Sequence, residues 1–198
     1  MKTSCRFILV VLSLATFPAM GATTYVEWGQ PDETWQGDVL GGAVTNGNTS
    51  SVILSTLPGG LNGVNDDSIE NRDMVRVVGG IDQRLTLSFS NPVVNPRIDI
   101  YSLSNPTVGD ITWTFSHPLT LLNGTLIQTA SNEILGNEAS GTILFTGTFS
   151  SLSWTTSLGE NFTGIQVGVE DVLGVPEPSR TLLLFTGIAC MALRRSRR

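Results

Sequence analysis

The chain has 198 residues, with 11 Lys+Arg against 17 Asp+Glu, one His and two Cys. That length suits one domain with flanking segments, and an apolar fraction of 40% is too high for disorder through low hydrophobicity. The acidic balance disfavours a nucleic-acid partner, and so few His and Cys exclude most multi-ligand zinc, iron–sulfur and haem centres.

The charges are segregated along the chain. Residues 22–174 hold four bases (Arg72, Arg76, Arg84 and Arg97) against sixteen acids, a net of −12. The other seven bases lie in the two tails. Such asymmetry assigns the tails different work from the body.

Residues 1–21 read as a signal peptide. Lys2 and Arg6 precede an apolar run over residues 7–20, the order of a positive n-region and an h-region. Pro18 ends the predicted helix, and Ala19 and Gly21 stand at −3 and −1 of a cut after Gly21. A cut after Ala22 is the neighbouring option. The run is shorter than the roughly 20 residues that a membrane span needs. Cys5 lies in the n-region and leaves with the signal.

The body, residues 22–174, opens with Trp28 and Trp35 in the polar segment EWGQPDETWQ. Exposed indole faces on a β-protein stack on sugar rings, and buried ones cover a core edge. Residues 49–57 then alternate as a strand. The segment 65–73, NDDSIENRD, is the densest acidic stretch. Asp66, Asp67, Glu70 and Asp73 offer the oxygen ligands that calcium takes in numbers of six to eight, without the spacing of an EF-hand loop. The competing reading is a solvated loop partly neutralised by Arg72. Calcium is the sole cofactor suggested.

Period-two alternation, the mark of half-buried strands, continues from there. Residues 74–78 form one run. Leu85, Leu87 and Phe89 then oppose Thr86, Ser88 and Ser90, and Ile98 and Ile100 oppose Arg97, Asp99 and Tyr101. Ile111, Trp113 and Phe115 oppose Thr112, Thr114 and Ser116. Ile143, Phe145, Gly147 and Phe149 make one row, with Leu152 and Trp154 after a turn, and Ile165, Val167 and Val169 make a late strand. Turns are predicted at Pro58-Gly59-Gly60, Asn62-Gly63, Gly79-Gly80, Asn91-Pro92, Asn105-Pro106 and Asn123-Gly124. No helical period lasts three turns. The expected fold is all-β: an antiparallel, jelly-roll-like β-sandwich. A signal-peptide helix precedes it and a single transmembrane helix follows it.

Catalytic sets are thin. His117, the only histidine, precedes Pro118 and reads as a surface turn residue. No G-x-S-x-G segment occurs, and Lys2, the only lysine, goes with the signal. Paired carboxylates hydrolyse glycosidic bonds, and Glu27, Asp32, Glu33, Asp99, Glu160 and Glu170 are candidates that the sequence cannot pair.

The C-terminal segment, residues 175–198, has three parts in order. Pro176-Glu177-Pro178 is rigid and extended. Residues 181–193 are uncharged and apolar, about 20 Å of helix at 1.5 Å per residue. Arg194, Arg195, Arg197 and Arg198 close the chain and are expected on the cytoplasmic side. Snorkelling arginines and local thinning match so short a segment to a bilayer. Cys190, inside it, reads as an apolar filler.

The V-P-E-P-S tripeptide region, the apolar helix and the arginine cluster together resemble the PEP-CTERM sorting domain of Gram-negative bacteria. The resemblance covers about two dozen residues. It implies recognition by an exosortase, a membrane-embedded cysteine protease-transpeptidase. It also implies cutting near Pro176, Glu177 and Pro178 and transfer of the body to the outer surface or extracellular matrix, with exopolysaccharide as a candidate partner. The precursor would pass through Sec-type export machinery and be held in the inner membrane by its C-terminal helix. Residues 85–153, with TLSFSNPVVNP, TFSHPLTLL and SGTILFTGTFSSLSW, are similar to β-sandwich domains that recur in exported bacterial surface proteins.

The expected function is therefore a non-enzymatic surface or matrix protein. Two alternatives are a carbohydrate-binding module using Trp28 or Trp35, and a cryptic polysaccharide hydrolase.

Overall fold

The computed structural model describes residues 22–29, 36–37, 39–57, 61–65, 74–79, 82–104 and 107–174. Among the described residues there is no helix, and so none long and apolar enough to cross a membrane. The signal-peptide and C-terminal helices expected from the sequence lie outside them. In chain order the strands are β1 (Thr24–Tyr25), β2 (Glu27–Trp28), β3 (Gln36–Gly37), β4 (Val39–Asn46), β5 (Asn48–Leu57), β6 (Leu61–Asn65), β7 (Met74–Gly79), β8 (Arg84–Val94) and β9 (Arg97–Leu103). They continue with β10 (Ile111–Phe115), β11 (Thr120–Gly124), β12 (Ile127–Ala130), β13 (Glu133–Gly136), β14 (Ala139–Leu144), β15 (Thr148–Thr156), β16 (Glu160–Val169) and β17 (Asp171–Val172).

These strands make two antiparallel sheets. One runs β11-β14-β9-β16-β7-β6-β3, with β1 also paired to β16. The other runs β12-β13-β10-β15-β8-β5-β4-β2, with β17 also paired to β8. From β8 onward the chain passes back and forth between the sheets, with only the β12–β13 hairpin staying in one. A single apolar cluster draws on both sheets: Leu85, Leu87, Trp113, Phe115 and Trp154 from the larger, and Ile98, Ile100, Ile143, Ile165 and Val167 from the smaller. Two antiparallel sheets around one core are consistent with the expected β-sandwich.

The alternation sets which side chains enter the core. On β8, Leu85, Leu87 and Phe89 are buried while Thr86 and Ser88 stand half-exposed between them. β10 repeats the pattern with Ile111, Trp113 and Phe115. Burying such side chains contributes roughly 1.5–3 kcal/mol each. The aromatic rings meet at the centre. Trp154 lies 5.5 Å from Phe115 and 5.7 Å from Trp113, centroid to centroid, and Phe115 lies 5.3 Å from Phe145.

Three sequence expectations about turns and rows do not hold. Asn91-Pro92 lies inside β8 rather than in a turn. The β8–β15 register shifts there, between Phe149 and Ser151, so the irregular stretch has no ladder donor for proline to remove. The Pro92 carbonyl instead accepts from Leu173 N at 2.8 Å. Asn62-Gly63 lies inside β6, where the β6–β7 register also shifts. The row from Ile143 to Phe149 is broken, because β14 ends at Leu144 and β15 starts at Thr148. Gly147 has φ +129, which an alternating strand does not allow. Pro58-Gly59-Gly60 and Asn105-Pro106 lie outside the described residues. Asn123-Gly124 does end a strand, β11.

Gly124 makes a turn that only glycine fits. Its φ is +106, and a Cβ there would collide with Ser140 O and Gly141 Cα of β14. Both obstacles are backbone, so no side-chain rotation relieves them. Gly124→Ala is expected to cost about 1–3 kcal/mol. Hydrogen exchange should show the loss of protection first in β11, which pairs with β14 alone. Unchanged protection of β11 would show that the turn relaxes freely.

Candidate functional site

The structure describes some of the residues singled out from the sequence and not others. Trp28 is only 4% exposed and belongs to the apolar cluster. It sits on β2 opposite Gly42, whose missing side chain leaves the space that the indole fills. Its face is covered by protein, so the stacking role that the sequence allowed it does not hold. Trp35, Asp66, Asp67, Glu70 and Asp73 lie outside the described residues, as do Pro176, Glu177, Pro178, Arg194, Arg195, Arg197 and Arg198. Among the described residues no group of three or more His, Cys, Asp and Glu side chains is placed to hold a metal ion. Trp113 and Trp154 are core residues, as their alternation predicted.

Of the candidate carboxylates, Glu27, Asp99 and Glu170 have described side chains. Glu170 follows β16 and accepts from Asn95 Nδ2 at 2.7 Å. Glu27 is exposed near the edge of the larger sheet. Asp32 and Glu33 lie outside the described residues.

His117 is half-buried, with its ring edge-on to Phe149 at 5.2 Å. Its Nδ1 lies 2.8 Å from Ser116 Oγ, which also accepts from Ser153 N at 3.1 Å. A triad needs a third group orienting the imidazole from its other nitrogen. Among the described residues no carboxylate is hydrogen-bonded to this ring.

A further polar arrangement among the described residues lies on the face of the smaller sheet that points away from the core. Asp99 stands at its middle, 5% exposed. The alternation of β9 placed Asp99 opposite Ile98 and Ile100 but gave no sign of its burial. Arg97 Nη2 donates to both carboxylate oxygens, at 3.2 and 3.3 Å, and Thr142 Oγ1 donates to Oδ1 at 2.7 Å. Thr142 faces Asp99 directly across the β14–β9 ladder. The Arg97 guanidinium also lies over the Tyr25 ring, 5.1 Å from its centroid, and Nη1 donates to Thr23 Oγ1 at 3.4 Å. A charge is buried at tolerable cost only when its partners supply both countercharge and hydrogen bonds, and Asp99 has both.

Gln166 completes the cluster. It lies opposite Asp99 across the β16–β9 ladder and is 1% exposed. Neither its Nε2 nor its Oε1 has a hydrogen-bond partner. Its neighbours on the same face of β16 are Gly164 and Gly168. The first is covered by Met74 and the second by Thr23 and Tyr25. The pattern Gly-Ile-Gln-Val-Gly in β16 is the signal that could have flagged it: an amide between two glycines, at the positions that alternate with apolar core residues.

Comparison of the chain with family models, with curated proteins and with solved structures finds no match.

Proposed function

We propose that this protein is an exported, non-catalytic protein of a bacterial cell surface or extracellular matrix. It leaves the cytoplasm on its N-terminal signal and is sorted through its C-terminal PEP signal by an exosortase. In this reading the chain is the substrate of the sorting reaction, and its body is a jelly-roll-like sandwich displayed outside the cell. The observation that carries the proposal is the order Pro176-Glu177-Pro178, apolar segment 181–193 and terminal arginines. The three parts stand in the order that the resemblance requires.

Two features of the body support the reading. The last strand among the described residues, β17, is paired to β8, and Leu173 N donates to Pro92 O. The folded body is thus tied down just before the tripeptide. The outward positions Thr86, Ser88, Ser151 and Ser153 on neighbouring β8 and β15 carry short hydroxyl side chains rather than charges.

The test is expression in a bacterial host with and without an exosortase, followed by mass measurement of the surface form. The expected result is loss of the residues after the motif only when the exosortase is present. Replacing Pro176, Glu177 and Pro178 by alanine should leave the full mass. An intact tail in both hosts would overturn the sorting reading.

A further inference from the structure

We propose that the outer face of the smaller sheet around Gln166 binds a neutral, polyhydroxylated ligand, a sugar unit of an uncharged glycan. The proposal rests on the body alone and is independent of how the tail is processed.

The first argument is the amide itself. A buried glutamine has two donors and an acceptor to satisfy, and native folds leave few such groups unpaired. Gln166 is 1% exposed with both polar atoms unbonded. Leaving a buried polar group unsatisfied is costly, so its place in a strand otherwise lined by Ile165 and Val167 calls for a partner from outside the chain.

The second argument is the charge balance around it. Arg97 and Asp99 are paired at 3.2 Å, so the charged pair beside the amide presents no net charge, and Arg76, opposite Gly164 on the same face, is engaged by a partner of its own. An anion brought here meets the Asp99 carboxylate, and a cation meets Arg97. A hydroxyl avoids both costs, because one oxygen donates to the amide carbonyl and accepts from the amide N–H. Arg97 Nε, also buried and unbonded, adds a further donor toward hydroxyl oxygens. Tyr101, half-buried on the same face opposite Gly164, contributes ring surface for the apolar side of a sugar.

The third argument is access. The atoms covering Gly164 and Gly168 are side-chain atoms of Met74, Thr23 and Tyr25, not backbone. Met74 stands on β7 one residue from Val75, which pairs with Ile165, so it flanks Gln166. An unbranched thioether with three rotatable bonds moves aside at little cost. Gly164 and Gly168 put no side chains of their own beside the amide, so the flexible Met74 is the group whose movement opens a path to it.

The test uses the full-length chain in a zwitterionic detergent without a sugar headgroup. It is titrated calorimetrically with neutral oligosaccharides of glucose, galactose and mannose, and with uronate oligosaccharides as the acidic arm. At least one neutral oligosaccharide should bind saturably and raise the Tm, with uronates at least about tenfold weaker. Gln166→Leu should weaken binding by about tenfold or more while its Tm equals or exceeds the parent's, because an orphaned amide is replaced by an apolar group. If Gln166→Leu does not fold, Gln166→Asn carries the same binding expectation, since it keeps the amide but withdraws it by one methylene. The proposal is overturned if no neutral oligosaccharide binds, which would leave water as the amide's partner. Preference for uronates, or unchanged binding in the Gln166 variants, would overturn it equally.

Discussion

Trp154→Ala is expected to destabilise the protein by about 3–5 kcal/mol. The ring, on β15, is 1% exposed. It touches the core from both sides, facing Leu85 of β8 and Phe115 of β10 across their ladders. Truncation removes the offset stacking on Phe115 at 5.5 Å and the contact with Trp113 at 5.7 Å. It also opens a cavity that neighbouring strands, fixed by their hydrogen bonds, cannot collapse to fill. Trp154→Phe separates the terms. It keeps an aromatic ring and removes an indole N–H that has no partner, so its loss should be clearly smaller. Urea denaturation of the full chain measures both. A Trp154→Ala loss below about 1 kcal/mol would contradict its central place in the core.

Asn95→Ala is expected to cost about 3–4 kcal/mol, a sum of two effects. Asn95 holds φ +47, a region that asparagine tolerates and alanine does not. Its side chain also ties together three connections. Gly147 N donates to Asn95 Oδ1 at 2.8 Å, between β14 and β15. Asn95 Nδ2 donates to Glu170 Oε2 at 2.7 Å, between β16 and β17. Asn95 itself lies between β8 and β9, with its backbone N donating to Gly147 O at 2.8 Å. Alanine loses both side-chain bonds and adds backbone strain. Asn95→Gly loses the bonds without the strain and is expected to cost about 1 kcal/mol less. Equal losses for the two variants would assign the whole effect to hydrogen bonding. No loss in either would show that the three turns are held by other contacts.

Particular residues show how far the strands were legible. Period-two alternation found β8, β9, β10 and β16 because each buries one face in β-branched, leucine or aromatic residues. It also extended a row through Gly147, where the polarity pattern continues but the backbone turns. It passed over β4, whose Gly41, Gly42 and Ala43 carry little hydrophobic signal. That strand is held by its register with β5, from Val39–Ser55 to Asn46–Asn48. β11 and β12 were equally faint, because they are edge strands with mainly exposed side chains. A strand recruited by its neighbours need not show its own amphipathic pattern.

The polar cluster was illegible for a different reason. Arg97, Asp99, Thr142 and Gln166 are far apart in the chain, and each alone reads as an outward position on a half-buried strand. Only the pairings of β9 with β14 and β16 put Asp99 between Thr142 and Gln166. The local pattern likewise could not decide between stacking and burial for Trp28, since both need a large aromatic near polar residues. Packing against the glycine at position 42 decided it.

The sequence by itself determined that the body is all-β and acidic, and that the basic residues concentrate in the tails. These follow from local periodicity and charge, which need no knowledge of neighbours. Tertiary structure alone decided that Asp99 is buried and paired, that Gln166 is buried and unpaired, and that Trp28 belongs to the core. Burial and hydrogen bonding are properties of which strands lie side by side, and that is set by long-range register rather than by any one segment.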